Sequence, residues 1–318
     1  MSRSSTNGAS AHEPRSAPRE RREDGFLHRV VDVGQVRLHV AEARPKGLDG
    51  DGRPIPADVP LVVFLHGFPE FWWSWRHQLT AAAKAGLWAV APDMRGYNES
   101  EKPRATSDYE VEKLAGDIAG LIRALGRKKA IVVGHDWGAV VAWAFANEYP
   151  EMLERLAILN VPHPLAMMRG LRRPAQLMKS WYMFFFQLPF VPERLIATGD
   201  FSMIRRTFRA DGVPAEDIER YVAALRVPGA VRSALAYYRA SIRRVLTGRV
   251  PRMHTIDKPV LIVWGDKDRF LGSEMAEPPK RFVPHARVVH IPEASHWVQN
   301  DAPAKVNELL LEFVAQPA

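Results

Sequence analysis

The chain has 318 residues, of which 47% are hydrophobic and 25% are charged, and its formal net charge is +8. These values are typical of a soluble globular protein with one large core, or with one core and a smaller inserted domain. Cysteine is absent, which excludes disulfides, thiolate metal sites and cysteine nucleophiles. The basic balance can indicate nucleic acid or an anionic membrane as a partner, but a solvated basic surface is the simpler interpretation.

The N-terminal segment is rich in Ser, Arg, Glu, Pro and Ala and has almost no aliphatic side chains. This composition predicts a disordered tail at residues 1–25. The segment also lacks the apolar core of a secretory signal peptide, so a cytoplasmic location is expected.

From residue 26 onwards, short apolar runs alternate with segments of helical periodicity. Val31, Leu38 and Val40 belong to an alternating pattern around Gly34, which predicts an opening hairpin. A Gly-, Asp- and Pro-rich stretch at residues 44–58 then predicts a surface loop. Short continuous apolar runs are typical of parallel strands that are buried on both faces, so the rhythm predicts a doubly wound, mostly parallel α/β sheet. The predicted strands are 61–65, 88–91, 130–133, 156–159, 260–263 and 287–291, and the clearest helices are 109–125, 139–147 and 303–313.

The alternation stops at residues 163–252, which show helical periodicity but no run typical of a buried strand. We predict a helical cap here, inserted between two parts of the α/β core at residues 26–162 and 253–318. The cap carries 16 Lys and Arg against 6 Asp and Glu, a balance of +10, so the basic excess of the chain lies mainly within it. A membrane-facing or anion-facing cap is one interpretation, and a solvated helical surface is the simpler one. Its most apolar run, 181–191, is shorter than the roughly 20 residues needed to cross a bilayer.

The sharpest motif is GHDWG at residues 134–138, directly after a predicted strand and before a predicted helix. It has the form of a nucleophile elbow, a tight strand-to-helix turn flanked by small residues, with Asp136 where serine is usual. A carboxylate is ionised at neutral pH and needs no base for activation, and it is suited to displacement at a saturated carbon. The alternative is that Asp136 only caps the following helix.

Two further groups follow in the chain order that α/β-hydrolases use, the acid first and the histidine second. Asp268 lies in a loop after the strand at 260–263, and His296 lies in a loop after the last strand. We predict His296 as the general base and Asp268 as the acid that orients it. Asp266 remains the alternative acid, because spacing alone does not separate the two.

The loop HGFPE at residues 66–70 follows an earlier strand. In a fold of this kind such a loop supplies one N–H of the oxyanion hole, and the residue after the nucleophile supplies the other. Phe68 and Trp137 are the candidates by position, although both side chains could equally line the pocket. We interpret His66 as a residue that pins this loop, and His135 as a structural hydrogen-bonding residue.

Several of these segments together resemble the α/β-hydrolase-fold epoxide hydrolases. HGFPEFWWSWR at 66–76 is similar to their HGFPE-x-W-x-S-W-R signature, DMRGYNES at 93–100 is similar to D-x-R-G-Y-G-x-S, and GHDWG is their nucleophile motif. The resemblance extends over about residues 26–315. Two cap segments resemble those that carry the lid tyrosines, which implies Tyr182 and Tyr238 as the pair. Ala236 stands where Asn is usual in the second segment, and Asn98 where Gly is commoner in DMRGYNES.

The resemblance implies that the reaction is the hydrolysis of an epoxide. A tyrosine hydroxyl stays protonated at neutral pH and can donate to the ring oxygen while Asp136 attacks a ring carbon. His296 then activates the water that hydrolyses the resulting ester. For Tyr237 we prefer a packing role. The aromatic run at 184–186 suggests an apolar epoxide, and the predicted pocket residues are His66, Pro69, Phe185 and Trp297.

Two other functions remain open at this point. A haloalkane or haloacid dehalogenase uses the same Asp elbow but needs halide donors; Trp137 could be one, whereas Phe68 stands where the second donor is usually Asn. A non-catalytic binding protein on the same fold would be expected to lack part of the catalytic triad, whereas all three predicted members of the triad are present here. The expected partners are an apolar epoxide and water, with no nucleic acid, no stable membrane insertion and no cofactor or metal, in a monomer or homodimer.

Overall fold

The computed structural model describes residues 20–48, 54–248 and 253–316, and these residues form a nine-stranded sheet. The strands are β1 (Arg21–Glu23), β2 (Phe26–Asp32), β3 (Arg37–Ala43), β4 (Leu61–Leu65), β5 (Trp88–Pro92), β6 (Ala130–His135), β7 (Leu153–Leu159), β8 (Val260–Gly265) and β9 (Ala286–Ile291). Their order across the sheet is β1-β2-β3-β5-β4-β6-β7-β8-β9. Pairings from β1 to β5 along this order are antiparallel and the others are parallel. The predicted α/β fold with a mostly parallel sheet is confirmed.

The helices of the core follow the strands in chain order. They are α1 (Arg76–Lys84), α2 (Val111–Ala124), α3 (Trp137–Glu148), α10 (Val298–Asp301) and α11 (Pro303–Ala315). Helix α1 packs against α11, and α2 packs against α3. The central strands β4, β5, β6 and β8 are buried along their whole length. Helices therefore cover both faces of the sheet, which explains why these strands read as continuous apolar runs.

The parallel strands bring distant loops to one end of the sheet. Leu65 at the end of β4 pairs with Gly134 of β6, and His135 at the end of β6 pairs with Leu159 of β7. Gly265 at the end of β8 pairs in the same way with β9. Because the carboxyl ends of these strands are level, the loops that follow them meet above the sheet, where ligands bind in open α/β folds.

The segment between β7 and β8 is helical, and no strand occurs among its described residues. Its helices are α4 (Pro164–Gly170), α5 (Pro174–Lys179), α6 (Trp181–Phe185), α7 (Val191–Ala210), α8 (Ala215–Arg226) and α9 (Ala230–Leu246). Helix α7 is interrupted by non-helical backbone at residues 198–201. We refer to residues 164–246 as the insert. The boundaries of the cap at 163 and 252 stay a prediction, since residues 249–252 lie outside the described ranges.

The aromatic run at 181–191 is divided between α6, a turn and the start of α7. Phe190 in this turn has a φ of +63°, a left-handed conformation that ends one helix before the next begins. No helix within the described ranges is both long and apolar enough to cross a membrane.

The predicted disordered tail needs a correction at its C-terminal end. Residues 1–19 lie outside the described ranges, but Arg21–Glu23 form β1, which pairs antiparallel with β2. The Arg21 guanidinium also donates two hydrogen bonds to the Glu99 carboxylate. Composition could not reveal this strand, because an edge strand of charged residues is held by backbone hydrogen bonds and needs no apolar face.

Candidate active site

Asp136 occupies the tight turn between β6 and α3. Its backbone has φ +48° and ψ −124°, a strained conformation for a residue with a side chain, with a cost of about 1–3 kcal/mol. A Cβ on Gly138, two residues later, would collide with the backbone oxygen of Leu65 on the neighbouring strand. The helix thus starts in van der Waals contact with β4, and glycine is required there. This packing turns the Asp136 side chain out of the sheet.

The carboxylate of Asp136 contacts both predicted partners. The Phe68 backbone N–H donates to Oδ1 at 2.7 Å, and His296 Nε2 lies 3.5 Å from Oδ2. Burial alone would raise the pKa of Asp136, but the hydrogen bond and charge of His296, helped by the Phe68 amide, hold the pKa below its usual value. The group is therefore ionised over the whole physiological pH range. The Trp137 amide begins α3, where backbone N–H groups lack partners within the helix.

His296 lies between two carboxylates. Its Nδ1 is 2.7 Å from Asp268 Oδ2 and its Nε2 faces Asp136. Burial lowers the pKa of His296, but both anions oppose it and the pKa is raised well above its usual value. Burial alone would raise the pKa of Asp268, but the charge of His296 outweighs burial, so the pKa of Asp268 is lowered. Asp266, the alternative acid, lies instead 2.6 Å from the exposed His290 ring.

Asn160 is a part of the site that the sequence reasoning missed. Its Nδ2 donates to Asp268 Oδ2 at 2.9 Å, and its Oδ1 accepts from the Gly265 N–H at 2.8 Å. Asp268 Oδ1 accepts two backbone N–H groups, from Phe270 and Leu271. Both oxygens of this buried carboxylate are therefore satisfied, and the side chain is fixed against His296. The one local signal for Asn160 is its position directly after β7.

His135 connects the elbow with the backbone of His296. Its Nε2 lies 2.8 Å from the carbonyl oxygen of His296, and its Nδ1 lies 2.8 Å from Glu70 Oε2. Gln299 and Asn300 also donate to Glu70, at 3.2 and 3.3 Å. These buried groups hold the loop of residues 66–70 against the loop of His296. The sequence indicated a structural role for His135 but not the contacts of Glu70 with the two amides.

Tyr182 and Tyr238 come together from α6 and α9. Their rings are 6.0 Å apart at 80°, and the Tyr238 ring stands edge-on to Trp137 at 4.8 Å. Burial raises the pKa of both phenols, and the charge of Asp136 raises it further, so both hydroxyls are protonated at neutral pH. Tyr237 has a different position: its hydroxyl donates to the Arg95 carbonyl at 2.7 Å in the core.

The four predicted pocket residues occupy different environments. His66 is fully buried, with Nδ1 bonded to the Gly67 carbonyl and Nε2 accepting the Met94 N–H. Pro69 is buried after a cis peptide bond. Trp297 packs its ring 4.9 Å from that of His296 and donates from Nε1 to Asp211 of the insert.

Phe185 and its neighbour Phe186 differ in position. Phe185 is partly buried, and its ring contacts those of Trp181 and Phe186. Phe186, which was not predicted, is buried against Phe68, Tyr182 and Tyr238 at 5.9, 5.7 and 5.0 Å. The signal for Phe186 was available, because it lies four residues after Tyr182 and therefore on the same face of a helix.

Polar groups converge here without forming a metal site. Among the described residues, no group of three or more His, Asp or Glu side chains is arranged to hold a metal ion. The arrangement combines an ionised carboxylate, a histidine between two anions, two backbone N–H groups and two protonated phenols. Such a set can attack an electrophilic carbon, donate a proton to an oxygen and activate water.

Comparisons with known proteins agree with this geometry. The family profile described as alpha/beta hydrolase fold matches residues 60–303. The AB hydrolase superfamily protein YfhM of Bacillus subtilis is 40% identical over 296 residues, which cover 92% of this chain and 99% of that protein. Epoxide hydrolase 4 of Homo sapiens is 36% identical over 299 residues, covering 91% of this chain and 78% of the human one.

Solved structures extend the similarity to the whole fold. An epoxide hydrolase from Bacillus megaterium, in complex with an inhibitor, superposes with a TM-score of 0.79 at 33% identity, covering 90% of this chain and 100% of the other. An epoxide hydrolase from Vigna radiata gives a TM-score of 0.74 at 30% identity, with coverage of 91% and 97%. The chain belongs to the α/β-hydrolase fold family and, within it, to the epoxide hydrolases.

Proposed function

We propose that the protein converts an apolar epoxide into a vicinal diol through an ester formed on Asp136. The observation that carries this proposal is the contact of one ionised carboxylate, Asp136, with both the Phe68 amide and the His296 ring. Similarity to proteins named epoxide hydrolases supports the substrate class.

In the first step Asp136 attacks one ring carbon of the epoxide. The C–O bond to that carbon breaks, and the ring oxygen takes a proton from Tyr182 or Tyr238. An alkoxide is a poor leaving group, so a donor that is still protonated is needed on the side opposite the attack. The raised pKa of both phenols supplies such donors. The product is a hydroxyalkyl ester of Asp136 and one tyrosinate.

In the second step His296 takes a proton from water, and the hydroxide attacks the ester carbonyl carbon. Phe68 and Trp137 donate their backbone N–H groups to the oxyanion of the tetrahedral intermediate. Before this step the His296 ring passes the proton that it holds in the free enzyme to the tyrosinate. Collapse then releases the diol and restores the Asp136 carboxylate beside the His296 imidazolium, which is the initial state.

The ester itself prepares His296 for this role. In the free enzyme the Asp136 and Asp268 anions raise the pKa of His296. Esterification removes the charge of Asp136, so the pKa of His296 falls and the ring can accept a proton from water. Asp268 remains to stabilise the imidazolium that forms.

The test uses a His296→Gln variant incubated with styrene oxide, followed by mass spectrometry of the peptide that carries Asp136. We expect this variant to accumulate the ester, because attack does not need His296 and hydrolysis does. His290→Gln is the matched control, since it removes a histidine that also contacts an aspartate but lies at the surface; it should keep full turnover. Absence of any adduct on the Asp136 peptide refutes the proposal.

The dehalogenase alternative shares the Asp136 ester and is tested in parallel. The wild-type protein is incubated with bromoalkanes, and the halide released is measured. We expect diol formation from the epoxide without halide release, because the two tyrosine hydroxyls suit an oxygen leaving group. Halide release without epoxide turnover would instead assign the same nucleophile to a dehalogenase.

A further inference from the structure

The insert exposes an unusual amount of apolar surface on one segment. Of the eleven large hydrophobic side chains that are exposed among the described residues, nine lie between residues 168 and 195. We call these residues, 168–195, the outer insert segment. Its most exposed apolar side chains are Met178 (76%), Phe190 (75%), Trp181 (60%), Phe184 (55%), Leu195 (50%) and Leu188 (48%).

The exposed area is large for a monomer. Trp181, Phe184 and Phe190 each show more than half of their surface, and an aromatic side chain buries roughly 150–250 Å² when covered. These three therefore expose roughly 300–500 Å² together, which alone matches the largest apolar patch of a typical monomeric protein. Surface of this kind marks a contact with a partner or with a membrane.

The same segment is strongly basic. Five exposed cations accompany the apolar side chains, and the one acidic residue of the segment, Glu193, is engaged by Arg239 at 2.5 Å. Exposed cations next to exposed aromatic residues are the composition of an interfacial surface that binds anionic lipids. The cations are Arg169, Arg172, Arg173, Lys179 and Arg194, of which Arg173 lies 3.8 Å from the exposed Glu274 carboxylate outside the segment.

Helix α6 links this surface to the candidate active site. Tyr182 and Phe186 turn inwards and pack against Tyr238, whereas Trp181 and Phe184 are exposed. One helix, about 10 Å in diameter, thus has the predicted proton donor on one side and the apolar outer surface on the other.

We propose that the outer insert segment docks onto the surface of an anionic lipid bilayer, and that the substrate is a lipophilic epoxide dissolved in that bilayer. The statement about the substrate rests on the proposed function, whereas the docking does not. The apolar side chains enter the boundary between headgroups and acyl chains, and the cations contact lipid phosphates. Binding in this orientation brings α6 to the membrane, so that the substrate reaches the tyrosine pair without crossing water.

A second copy of the chain fits this surface less well than a membrane does. In a two-fold symmetric dimer the same patch faces itself. Both facing surfaces would then carry the same five cations, and like charges across an interface oppose association. An anionic membrane offers apolar and charge complementarity together.

The docking is tested by flotation of the full-length protein with vesicles, in the absence of epoxide. Vesicles of phosphatidylcholine alone are compared with vesicles that also contain phosphatidylglycerol. We expect the protein to float with the anionic vesicles and to be released by high salt, because exposed charges are screened. Met178→Glu/Phe184→Glu should abolish flotation. Val245→Glu/Leu246→Glu is the matched control, since these side chains are equally exposed but lie on α9, outside the segment.

A charge variant separates the contribution of the cations to membrane binding from that of the apolar side chains. Arg169→Gln/Arg172→Gln/Arg173→Gln should weaken binding by about fivefold for each charge removed. The docking is overturned if wild-type protein does not float with anionic vesicles, or if Met178→Glu/Phe184→Glu and Val245→Glu/Leu246→Glu float equally. It is also overturned if sedimentation shows a dimer that Met178→Glu/Phe184→Glu dissociates and vesicles capture neither form.

Activity measurements then address the substrate. Met178→Glu alone, on α5 and outside the aromatic run, should hydrolyse a water-soluble epoxide at the wild-type rate, but should lose severalfold in rate on a lipophilic epoxide held in anionic vesicles. If the variant and the wild-type protein hydrolyse each of the two substrates at equal rates, the statement about the substrate is overturned. Flotation without any hydrolysis would refute the proposed function and leave the docking intact, so the two failures are distinguishable.

Discussion

At the scale of single residues, the charge of His296 depends on its two carboxylate neighbours. Asp136 and Asp268 both have a lowered pKa and both raise the pKa of His296. In the free enzyme, His296 therefore holds one proton between the two carboxylate anions. Any reaction that neutralises Asp136 changes the basicity of His296 without moving an atom of the ring.

The two proposed steps should respond differently to acid. Asp136 has a pKa below its usual value and stays ionised, so its attack on the epoxide continues as the pH falls. Hydrolysis needs neutral His296 and is lost when the pH falls below the pKa of His296 in the ester. We expect the fraction of enzyme present as ester to rise as the pH is lowered from neutral, measured by rapid acid quench and intact-protein mass spectrometry. A constant fraction, with the protein folded by circular dichroism, would contradict this mechanism.

Removal of the Asn160 side chain should slow hydrolysis of the ester more than its formation. Asn160→Ala removes the charge-assisted hydrogen bond that the Asn160 amide donates to the Asp268 carboxylate. Such a bond is worth about 1.5–3 kcal/mol, which corresponds to roughly tenfold to a hundredfold in rate. The two rates are measured in single-turnover experiments.

The control for this prediction addresses backbone strain. Asn160 has a φ of +49°, which alanine tolerates poorly and glycine adopts freely. Asn160→Gly removes the same hydrogen bonds without strain, so it should lose as much hydrolysis rate as Asn160→Ala. Full activity in Asn160→Gly would show that only the backbone conformation matters.

Sequence predicted some residues of the site and not others for a physical reason. Asp136 and His296 follow strands in a local pattern that can be read from a few neighbouring residues. Asn160 acquires its role from Asp268, which is 108 residues away. The choice between Asp268 and Asp266 likewise depends on which side of one turn faces His296, and spacing does not contain that information.

At the scale of elements, the elbow depends on how closely α3 approaches β4. Gly138→Ala should destabilise the protein by several kcal/mol, on the order of the cost of overpacking a core, because the new Cβ would meet the Leu65 backbone oxygen. Gly116→Ala is the matched control: Gly116 lies within α2, and its added Cβ would be 3.5 Å from the Tyr149 hydroxyl, an ordinary contact. That change should stabilise by about 0.5–1 kcal/mol. Denaturant titration of both variants measures the two effects, and equal stability would argue against the close approach.

The elements differ in how far their sequence predicts them. The central strands are buried on both faces, so their apolar runs predict β4, β5, β6 and β8 to within two residues and β7 to within three. The edge strand β1 is charged and is held by backbone hydrogen bonds, so composition misassigned it to the tail. The insert was predicted as helical, but its short helices end at turns such as Phe190 whose conformation depends on packing.

At the scale of the whole molecule, the insert is tied to the core by polar contacts around the candidate site. Asp217 of α8 accepts from Arg76 Nη2 at 2.5 Å and from Trp73 Nε1 at 2.7 Å. Trp297 of the core donates to Asp211 of the insert at 3.1 Å. The position of the tyrosines over Asp136 depends on such contacts as well as on apolar packing.

Loss of the Asp217 carboxylate should loosen this attachment. Asp217→Ala removes the only carboxylate paired with the Arg76 guanidinium among the described residues, although Arg76 keeps its hydrogen bonds to Asn300 and to the Trp73 carbonyl. Both side chains of the pair are largely buried, and breaking a buried ion pair costs about 3–5 kcal/mol. We expect a lower midpoint of denaturant unfolding together with faster hydrogen exchange in α8. Glu312→Ala is the control, because its pair with Arg287 is exposed; it should leave both measurements unchanged. An unchanged exchange rate in Asp217→Ala would mean that the attachment is apolar.

The hydrogen bond from the Phe68 amide to Asp136 makes the two carboxylate oxygens unequal. Oδ1 already occupies the place of the oxyanion, which leaves Oδ2 as the attacking atom in the proposed cycle. A first turnover in ¹⁸O-labelled water should therefore release a diol with ordinary oxygen and leave the label on Asp136, at the Oδ2 position. If the Phe68 hydrogen bond prevents rotation of the carboxylate, every diol molecule of the second turnover carries the label. If the two oxygens exchange places between turnovers, half of the diol molecules carry it. The isotope content of successive products thus measures how firmly one backbone amide holds one side chain.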